Sequence, residues 1–144
     1  MAVTFRDITE ENFYNCIKLS VRDDQRFVAS NVFSIAQSKI DSKWIIKSIY
    51  HNQEIVGFAM YNLDYPNKTL YLCRFMIDKQ HQHKGYGRKA LDILRDIAVQ
   101  DDQIERMKLS TNPENKYGIK VYEKFGFVDT GVLDDDEEVF VLDL

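Results

Sequence analysis

No apolar run in this sequence is long enough to cross a bilayer, and the start carries no basic, apolar leader. Neither a membrane span nor a signal peptide is expected. Cysteine is scarce, with only Cys16 and Cys73, so a disulfide scaffold is excluded. Together these absences predict a cytoplasmic protein with reduced thiols and argue against a Cys16–Cys73 bridge. An excess of positive charge is also missing: 19 Lys and Arg face 23 Asp and Glu, a net charge of −4. That balance argues against nucleic acid as the main partner. Of the three histidines, His81 and His83 are close enough to suggest a metal pair, but no third ligand follows at a useful spacing. No metal is expected. Repeats, linkers and low-complexity tracts are absent, and 144 residues suffice for a core, so one domain over 1–144 is expected.

What is present centres on Leu70 to Ala98. Leu70 to Ile77 is apolar and aromatic, as in a strand with little water on either face. A polar loop leads to Gly85-Tyr86-Gly87, after which Ala90, Leu91, Leu94, Ile97 and Ala98 share one helical face. Acids normally occupy a helix start, because its unpaired N–H groups carry partial positive charge. Here Lys84, Arg88 and Lys89 stand there instead, and the first acid is Asp92. Cations at that end become favourable when an anion lies over it, and glycines let the backbone approach such an anion closely. The stretch predicts a phosphate-bearing ligand.

In chain order, Val3 to Ile8 reads as a strand, and Thr9-Glu10-Glu11 starts a helix to about Leu19 with Phe13, Cys16 and Ile17 inward. Ser30-Asn31 caps a second helix to about Ile40, whose expected buried positions are Val32, Ile35 and Ala36. Trp44–Tyr50, Ile55–Leu63 and the strand at Leu70 are joined by short turns, as in an antiparallel meander. After the helix at 87–100 come a strand at Arg106–Thr111 and a helix from Asn115 to Phe125, stopped by Gly126. Phe127–Leu133 and Val139–Leu142 form a closing hairpin. The order β-α-α-β-β-β-α-β-α-β-β predicts an α+β sheet with helices on both faces.

Two phosphate loops fit poorly. A P-loop needs Lys-Ser/Thr after its second glycine, which is absent. A dinucleotide fingerprint should follow its strand directly, whereas seven residues separate Ile77 from Gly85. Gln82-x-x-Gly85-x-Gly87 instead resembles the acyl-CoA pyrophosphate loop of the GNAT superfamily of N-acetyltransferases. Asn115-x-x-Gly118-x-x-x-Tyr122-Glu-Lys-Phe-Gly126-Phe127 resembles a second signature of that superfamily, with Gly118 in place of its usual Ala. The element order is also that of the superfamily, so the resemblance spans nearly the whole chain. Within it the chain is most similar to bacterial spermine/spermidine acetyltransferases, on stretches such as Gly57-Phe58-Ala59-Met60-Tyr61 and Arg74-Phe75-Met76-Ile77-Asp78.

The resemblance implies that the strand ending Phe75-Met76-Ile77 splays from the strand at 106–111, with the pantetheine arm of acetyl-CoA in the gap. It implies that backbone groups of Gln82, His83, Lys84, Gly85, Tyr86, Gly87 and Arg88 hold the pyrophosphate, that Asn115 contacts the co-substrate beyond it, and that Tyr122 stands near the thioester sulfur. An alkylamine with a pKa of roughly 10 must first lose a proton, the oxyanion needs a donor such as the Ile77 amide, and the departing thiolate needs a proton. A tyrosine can supply that last proton, which makes Tyr122 the expected general acid. The base is open: Cys73 stands where related enzymes carry an acid, no Cys/His pairing is evident, and Asp24 or Glu54 are the carboxylates considered. For a polycationic acceptor the expected acids are Asp23, Asp24 and the run Asp134, Asp135, Asp136 to Glu138, part of a C-terminal stretch from Asp129 with seven acids and no Lys or Arg. The expected reaction is acetyl transfer to a small primary amine, a polyamine first, with a peptide, lysine or amine drug as alternatives and a CoA-binding sensor as the non-enzymatic one. A homodimer is the oligomer the resemblance implies.

Overall fold

The computed structural model describes residues 2–22 and 29–144. Its elements follow the expected order: β1 (Val3–Arg6), α1 (Phe13–Lys18), α2 (Asn31–Ile40), β2 (Ile45–His51), β3 (Glu54–Asp64), β4 (Thr69–Ile77), α3 (Tyr86–Val99), β5 (Arg106–Thr111), α4 (Lys116–Phe125), β6 (Val128–Asp134) and β7 (Glu137–Asp143). The fold is α+β, built on a seven-stranded mixed sheet in the order β1-β2-β3-β4-β5-β7-β6. All pairs are antiparallel except β4 with β5, whose parallel pairing requires the crossover that α3 supplies.

Residue alternation along β3 assigns the two faces. Ala59 and Tyr61 look towards α3, where they meet Ala90, Leu91 and Leu94, and Tyr122 and Phe125 of α4 complete that layer. Phe58 and Met60 point the other way and pack on Cys16 of α1 and Met76. The face expected for α3 is the one it buries. The Gly57 position brings β3 hard against β4, since a Cβ there would lie 2.5 Å from the Met76 carbonyl oxygen.

Two local expectations are corrected. The first helix begins at Phe13 rather than Thr9, because the Asn12 side chain accepts from the Thr9 amide and donates to the Asp7 carbonyl, which fixes residues 9–12 as a turn. In α2 the Ser30 cap forms as read, accepting from the Phe33 amide, and Ile35 packs half-buried on the core as expected, but the fully buried residues are Asn31 and Ser34. Val32 and Ala36 are exposed. Asn31 takes the inner position because its side-chain amide donates to the Cys16 carbonyl at 2.8 Å, tying α2 to the end of α1. A polar residue can replace an apolar one in a core when its hydrogen bond is made there.

Candidate functional site

The strand β4 leaves β5 part-way along. Their pairing runs from Thr69↔Arg106 to Leu72↔Leu109 and stops, although β4 continues to Ile77 and β5 to Thr111. The break coincides with a bulge in the opposite ladder: Met60 pairs Arg74 and Tyr61 pairs Leu72, leaving Cys73 as the extra residue. A bulge adds twist to the strand that carries it, which turns Arg74–Ile77 away from β5. Residues Phe75, Met76 and Ile77 stay paired with β3, so their other edge faces the gap. The splay predicted for this strand is present.

One cavity, of about 270 Å³, lies along that edge and reaches the start of α3. Its wall includes Phe75, Met76, Ile77, Gln82, His83, Gly85, Tyr86, Gly87, Arg88 and Asn115, ten of the eleven residues expected around the co-substrate. Lys84, the eleventh, sits exposed in the same loop outside the wall. The loop is shaped for an anion. His83 and Gly85 both take positive φ, +63° and +83°, an alternation that turns successive N–H groups towards one side. Gly85 is the N-cap of α3 and supplies no side-chain cap, and the first turn holds no acid. The first intrahelical bond runs from the Lys89 amide to the Gly85 carbonyl, so the amides of Tyr86, Gly87 and Arg88 precede the ladder. Gln82 ties the loop back to the strand by donating from Nε2 to the Ile77 carbonyl at 3.0 Å. Beneath the loop, Tyr86 is buried, its hydroxyl 3.0 Å from His51 Nδ1. These features fit a diphosphate over the helix tip and an extended arm along β4.

Sequence reading missed the α4 side of this cavity. Tyr117, Gly118, Val121, Lys124 and Phe125 line it with Tyr122. Their spacing of three and four marks one helical face, which was a readable signal once Tyr122 was placed on it. Arg88 Cζ lies 5.1 Å from the Phe125 ring centroid and its Nε 3.7 Å from Asp92, which keeps the guanidinium at the cavity mouth.

A second cavity, of about 240 Å³, opens on the other side of the splay. Phe75, Asn115 and Tyr122 belong to both walls and therefore mark the junction. Asn115 is held there as the cap of α4, its Oδ1 accepting from Gly118 N and its Nδ2 donating to Thr111 Oγ1 at 2.9 Å. Tyr122 is buried, and burial pushes its phenol up to about 12. Cys73 also lines the second cavity. Arg74 Nη1 donates to its sulfur at 2.6 Å, yet burial raises the thiol, so it rests protonated. A raised, half-buried thiol suits packing rather than nucleophilic attack.

The candidate acids are distributed differently. Asp23 and Asp24 lie outside the described residues. Glu54 stands at the loop side of the sheet, 3.9 Å from His81 Nδ1, and lines neither cavity. Asp135 and Asp136 take positive φ at the tip of the β6–β7 hairpin, and Asp134 lines a separate, more open depression with Lys43, Trp44 and Asp64. The carboxylate that does line the second cavity is Glu137, the first residue of β7. Among the described residues no group of three or more His, Cys, Asp or Glu could hold a metal, and no helix is long and apolar enough to cross a membrane.

Comparison with known proteins places this geometry. Residues 4–127 match the acetyltransferase (GNAT) family. A probable spermine N(1)-acetyltransferase of Bacillus subtilis subsp. natto is 31% identical and a spermine/spermidine N(1)-acetyltransferase of Bacillus subtilis strain 168 is 30% identical, each with all of both chains covered. The crystal structure of a spermidine N-acetyltransferase from Vibrio cholerae in complex with CoA and spermine superposes with a TM-score of 0.76 at 16% identity, covering 98% of this chain and 95% of that one.

Proposed function

The chain belongs to the acetyltransferase (GNAT) family, and from that premise we propose that it transfers the acetyl group of acetyl-CoA to a primary amine of a polyamine. The observation that carries this reading is the pair of cavities meeting at Tyr122, one ending on an uncapped, cation-rich helix tip and the other holding a carboxylate. The first suits a diphosphate on an extended arm, and the second an aliphatic ammonium. Acetyl-CoA brings the activated acyl group as a thioester.

The protein's part is orientation and proton handling. The free edge at Phe75–Ile77 holds the arm as an added strand would, and the loop amides from Gln82 to Arg88 hold the diphosphate. The Ile77 amide donates to the oxyanion as the amine adds to the carbonyl. Tyr122 keeps its proton at every working pH, because its phenol is pushed up to about 12. It therefore has a proton to give the sulfur as the C–S bond breaks, and the proton that the amine sheds returns to the phenolate through water. The acidic hairpin at Asp134–Asp136 acts through its field on an incoming polycation. Exposed Val128, Val132 and Leu133 on the edge strand β6 support a homodimer through the C-terminal strands.

The test is thiol release from acetyl-CoA with spermidine, spermine and a lysine peptide. Turnover with the two polyamines and not with the peptide is expected. Preference for the peptide would replace the polyamine by a protein acceptor, and tight CoA binding with no turnover on any amine would make the chain a sensor.

A further inference from the structure

Glu137 lines the second cavity and not the first, whereas the reacting nitrogen has to sit at the junction marked by Tyr122, Phe75 and Asn115. A carboxylate that lines the acceptor-side cavity alone is placed for charge on the acceptor rather than for the co-substrate. It is matched to a second positive charge further along the same molecule. We propose that Glu137 binds the neighbouring, unreacted ammonium of the acceptor and is the residue that makes the enzyme prefer a diamine or polyamine over a monoamine. This rests on the acetyl-transfer reading above and adds the specificity residue to it.

Three features favour the assignment. First, Glu137 is held in place: Ser110 Oγ donates to its Oε1 at 3.1 Å, and Tyr71 Oη lies 3.5 Å from the same Ser110 hydroxyl. Ser110 thus satisfies one oxygen with a neutral donor, and the charge is left without a cation among the described residues. Second, the cation in the cavity wall, Arg74, is turned elsewhere, donating from Nη1 to Cys73 and from Nη2 to Gln37 Oε1 at 3.3 Å. It competes little for the carboxylate. Third, Leu72, Leu109 and Phe75 give the same cavity apolar wall, as the methylenes between two nitrogens require. A half-buried carboxylate with a fixed geometry binds an ammonium far better than the solvated hairpin acids do.

The experiment compares kcat/KM for spermidine with that for n-butylamine, in the native protein and in Glu137→Gln and Glu137→Asp. Glu137→Gln should cut the spermidine-to-butylamine ratio roughly 10- to 100-fold, the usual effect of a lost charge-assisted hydrogen bond. The loss should fall on the KM for spermidine, with the KM for acetyl-CoA and the melting temperature unmoved, and Glu137→Asp should restore part of it. An unchanged ratio, or equal losses on both amines, would overturn the assignment. Spermidine binding to the CoA-loaded protein, measured by calorimetry, separates this from the wider reading: it needs no turnover. If neither amine were acetylated, the acetyl-transfer reading would fall, while equal spermidine affinities for the native protein and Glu137→Gln would sink the Glu137 assignment on their own.

Discussion

At the scale of single residues, the hydroxyl of Tyr122 and the missing Cβ of Gly118 make the sharpest predictions. Tyr122→Phe removes one oxygen and leaves the ring packed edge-on against Phe127, centroids 6.0 Å apart. Turnover should fall about 100-fold or more, the range for losing a general acid, with the Kd of CoA nearly unchanged. Equal losses in both would assign Tyr122 to packing. Gly118 is tied to the cap of α4, because a Cβ there would lie 2.4 Å from Asn115 Nδ2. Gly118→Ala therefore displaces the Asn115 side chain and forfeits a cap of about 1 kcal/mol, while the helix gains a similar amount from Ala over Gly. The two effects offset, so the melting temperature should barely move. Asn115 stands at the junction of the cavities, so turnover should fall nonetheless; a variant with native turnover would show that the position of Asn115 is immaterial to transfer.

Elements set the site where single residues only furnish it. The diverging end of β4 depends on its close contact with β3, and Gly57 is what permits it: an added methyl would meet backbone at Met76 and the Ile77 side chain at 2.9 Å. Gly57→Ala should cost about 1–3 kcal/mol of stability, as overpacking does, and raise the KM for acetyl-CoA by moving Met76 and Ile77. Urea unfolding and steady-state kinetics check the two halves, and a variant with native stability and native KM would remove Gly57 from the account. Elements were also what the sequence disclosed best. Periodicity located α3 and its buried face, and glycines with cations marked its tip, because these signals are local. Less local features were hidden. The inward Asn31 and Ser34 of α2 look like a polar face until the bond to the Cys16 carbonyl is seen. The bulge at Cys73 depends on which residues of β3 lie opposite. Glu137 looked like one acid in a run of five, and only the pairing of β7 beside β5 brings it next to Ser110, while it pairs with Asp134 at the base of the turn.

For the molecule as a whole, burial of groups that ionise at high pH ties stability to alkalinity. Burial pushes the Cys16 thiol up to about 11 and the Tyr122 phenol up to about 12, and it also raises Tyr61, Tyr71 and Cys73. In the unfolded chain these groups return to about 8.5 for Cys and about 10 for Tyr. Below pH 8 both states keep the protons and the shifts contribute nothing to the pH dependence. Between about pH 9 and 12 the unfolded state releases protons that the native state retains, so it binds fewer protons and stability falls as pH rises. The rise of the Tyr122 phenol from about 10 to about 12 alone amounts to about 2–3 kcal/mol by pH 12, at about 1.4 kcal/mol for each tenfold change in proton affinity. Urea midpoints taken from pH 8 to pH 11 should decline throughout. Lysine deprotonation contributes to the same decline, so the informative quantity is the difference between native protein and Tyr122→Phe. That difference should begin to change above pH 10, with the variant losing less stability than the native chain. Parallel curves across the whole range would mean that the Tyr122 hydroxyl is as well solvated in the folded protein as in the unfolded one, and a junction open to water at that residue would be a poor place to hold a thioester.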